Sequence, residues 1–302
     1  MGAAFKALIA AAAIGALGGG GFLWATAPEQ VDPAALAGLS GDAARGERIF
    51  NIGGCASCHA APGAGEDDRL VLAGGQAFAT DFGTFHAPNI SPGPAGIGGW
   101  SALDLVNAMM KGVSPDGAHY YPAFPYASYA RMKLADIVDL KAYLDTLPVS
   151  DTANLPHDVS FPFNIRRGVG LWKLIHVDPA PVVPAEDPLV LKGRYLAEGP
   201  GHCAECHTPR NMLGGLDLAR WMAGAPNPEG KGRTPNLTPG EGGLDWSAAD
   251  IAEYLKSGFT PEYDVVGGAM ADVVRNTARL APEDRAAIAA YLKALPPLPR
   301  ER

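Results

Sequence analysis

Two copies of a Cys-x-x-Cys-His motif constrain the fold of this chain more than any other feature. They occupy residues 55–59 and 203–207, and together they contain every cysteine of the chain: Cys55, Cys58, Cys203 and Cys206. Two thiols three positions apart can each add to one vinyl group of a haem, and the residue that follows offers its imidazole to the iron. The motifs therefore predict two covalently bound haem c groups, with His59 and His207 as the proximal iron ligands.

The same cysteine spacing also occurs in zinc sites, redox dithiols and structural disulfides. A structural zinc site needs paired motifs close together, whereas these two lie 148 positions apart. A redox dithiol needs neither a histidine after each second cysteine nor a duplicate of itself. Haem attachment is the reading that uses all the cysteines and both histidines.

The two motifs belong to a longer internal repeat of nearly constant offset. Residues 87–93, Ala-Pro-Asn-Ile-Ser-Pro-Gly, match residues 234–240, Thr-Pro-Asn-Leu-Thr-Pro-Gly, at an offset of 147. Trp100 matches Trp246 at an offset of 146, and a Tyr-Leu pair near the end of each half matches at 148. Self-similarity of this kind indicates a duplicated structural unit. Each half is thus predicted to form one complete domain.

Helical spacing of apolar residues is the main secondary-structure signal in both halves. Ser101 and Ser247 directly precede such segments and are predicted helix N-caps, while Gly112 and Gly258 are predicted to end the same helices. No run of residues alternates convincingly as a strand. The chain is therefore predicted to be all-α, with two tandem domains and long loops rich in glycine and proline.

The N-terminal residues contain an uncharged segment, residues 7–27, and Lys6 is the only positive side chain before it. Such a segment is long enough to span a bilayer. A cleaved signal peptide is the competing reading, since residues 25–27, Ala-Thr-Ala, resemble a cleavage site. Pro28 directly after them argues against cleavage. A single retained transmembrane helix is therefore predicted, with Lys6 on the cytoplasmic side.

These features divide the chain into four predicted parts. They are a membrane anchor and tether (1–40), a first haem domain (41–150), a Pro-rich connector (151–188) and a second haem domain (189–302). The connector mixes aromatic residues with three cations: Arg166, Arg167 and Lys173. It is interpreted as a strap packed across the domain interface, and a docking surface for the membrane or a partner is the alternative.

Charge limits the classes of partner that this chain can bind. Its formal net charge is −8 before the propionates of two haems are counted. An acidic balance of this size argues against binding to nucleic acid or to an anionic membrane surface. A basic or neutral docking partner is expected instead.

Several runs of residues carry a family resemblance. In addition to the haem motifs and the loop at 87–93, they are Ile-Gly-Gly-Trp-Ser (97–101) and Gly-Ala-His-Tyr-Tyr-Pro-Ala-Phe-Pro-Tyr (117–126). They resemble the membrane-anchored, multi-haem cytochrome c subunits of periplasmic alcohol, gluconate and related dehydrogenases, from about Gly41 to Pro297. The resemblance implies two tandem cytochrome c domains. It also implies an electron carrier that serves a separate flavin, molybdenum or quinone enzyme.

Met270 is the predicted sixth ligand of the second haem iron. It ends a Gly-Gly-Ala-Met run, residues 267–270, shortly before the last predicted helix. A thioether is a soft ligand that raises the haem potential. Met212 and Met222 are the alternatives, but they follow Cys206 too closely and suit apolar packing better.

The sixth ligand of the first iron is harder to place. The counterpart of Met270 is Phe124 at an offset of 146 or Pro122 at 148, and neither can bind iron. Proteins of the resembled family often have Met in place of Phe124, so the resemblance breaks down at this position. Met132 is the predicted ligand, although it aligns with a leucine of the second half and could be a core residue. His119 and an open or weakly ligated iron are the alternatives.

The sequence therefore predicts a dihaem c-type cytochrome of the bacterial cytoplasmic (inner) membrane, single-pass, with its haem domains facing the periplasm. It is predicted to take electrons from a periplasmic dehydrogenase and to pass them to the respiratory chain. The acceptor would be a quinone, a soluble cytochrome or a terminal oxidase. The alternative is a dihaem enzyme, a peroxidase or thiosulfate-oxidising cytochrome, with an open or exchangeable position on one iron. The absence of Met at position 124 motivates that alternative.

Overall fold

The first helix, α1 (Ala3–Ala25), projects from the rest of the chain in the computed structural model, which describes residues 2–227, 230, 232–240 and 242–299. None of its residues is buried. With 23 residues and a mean hydropathy of 1.7, it is long and apolar enough to cross a membrane. A signal sequence has the same properties. The predicted apolar N-terminal helix is therefore confirmed, and either role suits its length and composition.

The first repeat consists of short helices and one hairpin, after a 3₁₀ turn at Pro33–Leu36. The helices are α2 (Ala43–Ile52), α3 (Cys55–His59), α4 (Ala102–Val106), α5 (Tyr126–Tyr129) and α6 (Leu134–Leu144). A π-helical turn, Asn107–Lys111, continues α4. Strands β1 (Ala77–Thr80) and β2 (Gly83–His86) pair antiparallel, with Phe78 opposite Phe85.

The second repeat has the same order of helices and strands as the first, and the connector before it contains one helix. A 3₁₀ turn, Arg166–Gly168, leads into α7 (Val169–His176) within the connector. The second repeat contains α8 (Pro188–Glu198), α9 (Ala204–His207), α10 (Ala248–Ser257), α11 (Ala269–Thr277) and α12 (Pro282–Ala294), with a 3₁₀ turn at Leu218–Arg220. Its short strands, β3 (Ala225–Pro226) and β4 (Arg233–Thr234), also pair antiparallel.

The part of the chain that the structure describes is mainly helical, as predicted, but it also contains these short strands. All four residues of β1 are exposed, so the strand lacks the alternation of buried and exposed side chains that identifies a strand in a sequence. Strand β2 also forms a bridge between Thr84 and Asp158 of the connector. The hairpin therefore depends on a contact that is distant in the sequence.

Both predicted N-caps are present with full capping boxes. The Ser101 hydroxyl accepts a hydrogen bond from the backbone of Asp104, and the Asp104 carboxylate accepts one from the backbone of Ser101. Ser247 and Asp250 repeat this arrangement at the start of α10. The glycine predicted to end each helix adopts a left-handed conformation that other residues rarely adopt, with φ +57° and +77° respectively.

Each repeat is organised by two helices that cross at a glycine. A Cβ atom on Gly46 of α2 would lie 2.0 Å from the carbonyl oxygen of Asp139 in α6. A Cβ atom on Gly193 of α8 would lie 1.8 Å from the carbonyl oxygen of Ala287 in α12. Any larger side chain would force these backbones apart. Each crossing lies beside its own hydrophobic core, which includes Phe50, Ile137 and Leu140 in the first repeat and Leu196, Ile288 and Leu292 in the second.

The connector is packed along both repeats, as the strap interpretation predicted. At its N-terminal end, Asp158 pairs with β2. At its C-terminal end, the backbone amides of Val182 and Val183 donate to the buried Glu198 carboxylate at 2.8 and 3.1 Å. The Tyr291 hydroxyl donates to the same carboxylate at 2.8 Å, so this buried charge has several hydrogen-bond partners.

The two repeats meet in an interface whose contacts occur in reciprocal pairs. Ser57 of the first haem motif accepts a hydrogen bond from the Asn276 side chain at 2.8 Å. Glu205, which lies 148 positions after Ser57, accepts one from the Ser128 hydroxyl at 2.7 Å. Ser128 in turn lies 148 positions before Asn276. The same two positions of the repeat thus touch twice, with the roles of the two halves exchanged.

A second reciprocal pair involves charged groups. Arg48 donates to the buried Asp284 carboxylate at 2.6 Å, and Lys192 lies 2.7 Å from it. In the exchanged arrangement, the Tyr195 hydroxyl donates to Asp136, and these residues lie 147 and 148 positions from Arg48 and Asp284. An interface in which i contacts j and j contacts i has two-fold character. The repeats therefore pack as two halves of a pseudo-symmetric pair.

We predict that the Asp284 carboxylate stabilises the chain in a pH-dependent way. Burial raises the pKa of Asp284, but the hydrogen bonds and charges of Arg48 and Lys192 outweigh this effect and hold it below its ordinary value. A lowered pKa gives stability that is present above the unfolded value, about 3.9, and is lost as the pH falls through the folded value. Asp284→Asn should lower the free energy of unfolding in urea by about 1–3 kcal/mol at neutral pH.

The difference in the free energy of unfolding between Asp284→Asn and the unmodified protein should narrow as the pH falls below 4. Asp284 of the unmodified protein is then protonated and loses its negative charge as well. The matched control is Asp151→Asn, which changes an exposed aspartate of the connector. It should change the free energy of unfolding little at any pH. A gap for Asp284→Asn that stays constant between pH 7 and pH 3 would contradict this assignment.

Candidate haem sites

Each Cys-x-x-Cys-His motif forms a single helical turn. Helix α3 contains both cysteines of its motif, and Cys203 is the N-cap of α9. In both motifs the two cysteines are three positions apart, which places them on the same side of the turn. Both turns follow a residue with positive φ, Gly54 at +58° and His202 at +36°. The sharp change of direction at these residues separates each motif from the preceding long helix.

The histidine of each motif is oriented by a proline carbonyl. The His59 Nδ1 atom lies 2.8 Å from the carbonyl oxygen of Pro88, and the His207 Nδ1 atom lies 2.9 Å from that of Pro235. Because a carbonyl oxygen can only accept, Nδ1 carries the proton in both rings, and the lone pair of Nε2 remains for a metal. Burial lowers the pKa of both imidazoles and so favours this neutral form.

The two Pro-Asn loops that supply these carbonyls are fixed by their asparagines. Asn89 donates to the carbonyl oxygens of Ser150 and Thr152 at 3.0 and 2.9 Å. Asn236 donates to the carbonyl oxygen of Leu298 at 2.9 Å. Each asparagine therefore ties its loop to the chain that follows the last helix of its repeat. The proline acceptors were not predicted, although the nearly equal spacing of the two Pro-Asn pairs from their motif histidines, 29 and 28 positions, was a signal for them.

The environment of the cysteines separates haem attachment from its alternatives. No disulfide joins the four cysteines, and burial raises the pKa of Cys55 and Cys203 to about 12, which suppresses the reactive thiolate that a redox dithiol requires. Among the described residues, no group of three or more His, Cys, Asp or Glu side chains could hold a metal ion. Two thiols outside any disulfide, beside an oriented imidazole, fit the attachment of haem c.

The two motifs approach one another across the interface between the repeats. Burial, the neighbouring Cys206 thiol and the Asp272 carboxylate together raise the pKa of Cys58 to about 11, although its side chain is exposed on one side. The Tyr129 ring packs edge-on against the His202 ring, with centroids 5.5 Å apart. Burial and then the nearby Cys55 and Cys58 thiols raise the pKa of Tyr129. Residues of both repeats therefore surround the first motif.

Met270 lies at the start of α11 and is only half-buried, packed against the core of the second repeat. Met222 is completely buried, as its interpretation as apolar filling predicted. Met212 is 94% exposed, so the same interpretation was wrong for Met212. Of the three methionines considered for the second iron, Met270 combines a partly open side chain with a position at the edge of the core.

Met132 is buried in the core of the first repeat, with 4% of its surface exposed, and precedes α6 instead of opening it. Leu280, 148 positions later, is equally buried in the second core. A Cβ atom on Gly199 would lie 3.7 Å from Met132 Cγ, so this side chain also faces the second repeat. The position suits both packing and ligation, and the assignment of Met132 as a ligand stays a prediction.

Phe124 is the counterpart of Met270 on the upstream offset of 146, and a pair of bridges supports that offset. The bridge between Val113 and His119 recurs, at an offset of 146, between Phe259 and Val265. The offset of 146 therefore holds as far as His119 and Val265, which lie five positions before Phe124 and Met270. Phe124 packs among three tyrosine rings, those of Tyr120, Tyr126 and Tyr129, with centroids 5.9, 6.4 and 5.6 Å away.

His119, the alternative ligand of the first iron, is engaged elsewhere. Its Nε2 atom donates to the carbonyl oxygen of Thr26 at 2.9 Å, and its Nδ1 atom lies 3.0 Å from the Lys173 ammonium group. Both ring nitrogens therefore have partners within the chain, so the contacts of His119 do not support this alternative, which stays untested. This contact, which joins α1, the first repeat and the connector, has no local signal in the sequence.

Comparisons with known proteins agree with this geometry. Residues 43–148 match the cytochrome c family. The chain is 59% identical, over 293 residues, to a dihaem c-type cytochrome of Cereibacter sphaeroides, which covers 96% of this chain and 98% of that protein. It is 35% identical to the cytochrome c subunit of a quinone-dependent alcohol dehydrogenase of Gluconobacter oxydans, covering 84% of this chain. It is also 35% identical to the gluconate 2-dehydrogenase cytochrome c subunit of Pantoea cypripedii, covering 83%.

The chain spans only 55% and 59% of the lengths of those two dehydrogenase subunits. By contrast, it spans 98% of the dihaem cytochrome. The two haem motifs of this chain occupy equivalent positions of its internal repeat. The chain therefore belongs to the dihaem c-type cytochromes and carries two covalently bound haem c groups.

Proposed function

We propose that this protein is a membrane-anchored electron-transfer subunit. It accepts electrons from a periplasmic dehydrogenase and delivers them to a quinone, a soluble cytochrome or a terminal oxidase of the respiratory chain. The observation that carries the proposal is the duplicated histidine–proline pair, because it provides two oriented imidazoles, one for each haem. The dehydrogenase subunits among its relatives support the kind of donor.

The haems supply the one-electron redox chemistry, and the residues of this chain bind and tune them. In our proposal the cysteines of each motif form the thioether bonds, His59 and His207 are the proximal ligands, and Met270 and Met132 are the distal ones. The proline carbonyls of the Pro-Asn loops hold the imidazoles in one tautomer. The proposed boundaries remain 1–40 for the anchor, 41–150 and 189–302 for the haem domains, and 151–188 for the connector.

The contacts of Thr26 support retention of α1 in the mature protein. Thr26 is completely buried. Its hydroxyl accepts a hydrogen bond from Arg167 at 2.8 Å, and its carbonyl oxygen accepts one from His119. Gly170 lies so close that a Cβ atom there would be 2.7 Å from the Thr26 side chain. Cleavage after Ala27 would remove the residue around which these groups are packed, which favours a single-pass protein of the bacterial inner membrane.

One observation favours the enzyme alternative. At an offset of 146 or 148 the counterpart of Met270 is Phe124 or Pro122, neither of which could bind iron, and the predicted substitute, Met132, is packed like the core leucine of the other half. An iron without a sixth ligand could bind peroxide or a sulfur compound. This alternative differs from the carrier in the ligation of one iron, which spectroscopy can test.

We predict that Met270→Leu and Met132→Leu each remove one thioether ligand while retaining most of the apolar volume. Each substitution should convert one of the two haems to a high-spin form, abolish half of the thioether-to-iron charge-transfer absorption and lower one midpoint potential, because a thioether favours reduced iron. The measurements are the optical spectrum of the oxidised protein and a redox titration.

Met222→Leu is the matched control, since Met222 was weighed as a ligand of the second iron but is assigned to apolar packing because it is completely buried. It should leave both spectra and both potentials unchanged. If Met132→Leu behaves like this control and the unmodified protein already contains one high-spin iron, the first site is open. The enzyme alternative would then replace the carrier proposal for that haem.

The carrier function itself is tested in the host cell. Membranes from a strain that lacks this protein should still oxidise a substrate of the partner dehydrogenase with an artificial dye as acceptor. They should not consume oxygen with that substrate, because the electrons no longer reach the respiratory chain. A panel of alcohols, sugars and sugar acids covers the donors of the related subunits. The proposal fails if no substrate separates the two activities, or if the purified protein turns over peroxide or thiosulfate.

A further inference from the structure

The connector exposes large apolar side chains that the carrier function does not require. We call them the connector face: Phe161, Phe163, Ile165, Leu171, Leu174 and Ile175. On α7 the members recur at the spacing of one helix face, and Leu174 and Ile175 are 65% and 67% exposed. The other side of α7 is packed, since Val169 and Gly170 are buried. Contiguous exposed apolar residues mark an interaction surface more often than single ones do.

A neighbouring loop of the second repeat extends the connector face. The Trp172 indole nitrogen donates to the carbonyl oxygen of Leu213 at 2.8 Å, which ties this loop to α7. Met212 and Leu213 are 94% and 55% exposed. The extended surface therefore combines residues from the connector and from the second repeat on one side of the chain.

The connector face begins at the end of α1. Besides the bond to Thr26, Arg167 donates to the carbonyl oxygen of Leu23 in the last turn of α1. In a membrane-spanning helix this last turn lies at the boundary between hydrocarbon and headgroups, where tryptophan is favoured, and Trp24 is 83% exposed there. With α1 as a membrane-spanning helix, the first turn of α7 would lie at the depth of the lipid headgroups.

The local charge of the connector face is opposite to that of the whole chain. Residues 161–176 include two arginines and one lysine but no aspartate or glutamate, whereas the net charge of the chain is −8. The Lys173 ammonium group points inward to carbonyl oxygens of the first repeat. Arg167 is bound to the end of α1 and the Arg166 guanidinium lies over the Tyr121 ring at 5.0 Å, and both arginines are partly exposed, so they carry the positive charge of this surface. Screening limits charge interactions to about 8 Å at physiological salt. The attraction of this surface for anions therefore depends on these arginines and not on the net charge of the whole chain.

We propose that the connector face lies in the headgroup region of the outer leaflet and binds anionic phospholipid. Apolar side chains on one face of a short helix, with cations beside them, are the features of helices that lie in a membrane interface. The chain then touches the bilayer at α1 and at α7, and two contacts fix its orientation where one helix would leave it free to swing. This proposal rests on the proposed function, because it takes α1 as a retained anchor.

The test uses the full-length holoprotein in nanodiscs that contain phosphatidylglycerol and a photoactivatable phospholipid with its reactive group near the headgroup. After illumination, mass spectrometry of peptides identifies the labelled segments. Lipid adducts are expected on the end of α1 and on residues 161–176. Leu174→Glu combined with Ile175→Glu should reduce the adducts on 161–176 several-fold and leave those on α1 unchanged. Replacing phosphatidylglycerol with phosphatidylcholine should also reduce them.

Val265→Glu is the matched control, since Val265 is an equally exposed aliphatic residue of the second repeat that lies outside the connector face. It should leave all labelling unchanged. Adducts on α1 alone would overturn the proposal and assign the connector face to a protein partner. Adducts on neither segment would contradict the retained anchor and the connector contact together. If the host itself cleaves off the N-terminal helix, and the cleaved protein still forms adducts on 161–176, the retained anchor is contradicted and the connector contact is upheld.

Discussion

The reciprocal interface between the two repeats is the constraint on which the arrangement of the haem sites depends. Ser57 and Glu205 occupy the same position in their motifs, and each is bound by the equivalent residue of the opposite repeat, Asn276 or Ser128. Asn276 also accepts a hydrogen bond from the largely buried Arg69 at 2.9 Å. Because one of the two residues between the cysteines of each motif is itself an interface residue, each haem motif is positioned by the other half of the chain.

Glycines next to the haem motifs also take part in the interface between the repeats. A Cβ atom on Gly53 would lie 3.6 Å from the carbonyl oxygen of Pro200, and one on Gly201 would lie 3.3 Å from the Ile52 side chain. The two contacts are equivalent, because Gly201 and Pro200 lie 148 positions after Gly53 and Ile52. Within each repeat, the proline carbonyl then sets the tautomer of the motif histidine. Orientation of each imidazole is a local matter, whereas the relation between the two sites is set by the interface.

The sequence was sufficient for features that depend on local chemistry. The haem motifs, the capping serines Ser101 and Ser247 and the duplication all follow from residue type and spacing. The interface was not predicted, because its partners differ between the copies: the repeat places Ser57 against Asn276 but Glu205 against Ser128. Side-chain identity alone could not show that these pairs are equivalent. The contacts of Thr26 escaped prediction for a related reason, since they join segments 93 and 141 positions apart.

The connector was the least predictable segment, and its structure changes the interpretation of the net charge. Composition suggested a Pro-rich strap, but α7 forms because one of its sides packs against α1 and the first repeat. That packing turns Leu174 and Ile175 outward beside Arg166 and Arg167. A net charge of −8 argued against an anionic membrane surface, whereas the charge distribution at the end of α1 favours one. The position of charges relative to the membrane matters more than their sum.

Magnetic resonance of the two irons tests most directly whether the haem motifs meet across the reciprocal interface. The measurement is the microwave power at which the electron paramagnetic resonance signal of an oxidised iron saturates, in fully oxidised and in half-reduced protein. If the two motifs face one another as described, a second oxidised iron nearby will speed relaxation, and the signal will saturate at higher power in the fully oxidised sample. Identical saturation in both samples would contradict the account, because the two haem sites would then be magnetically isolated.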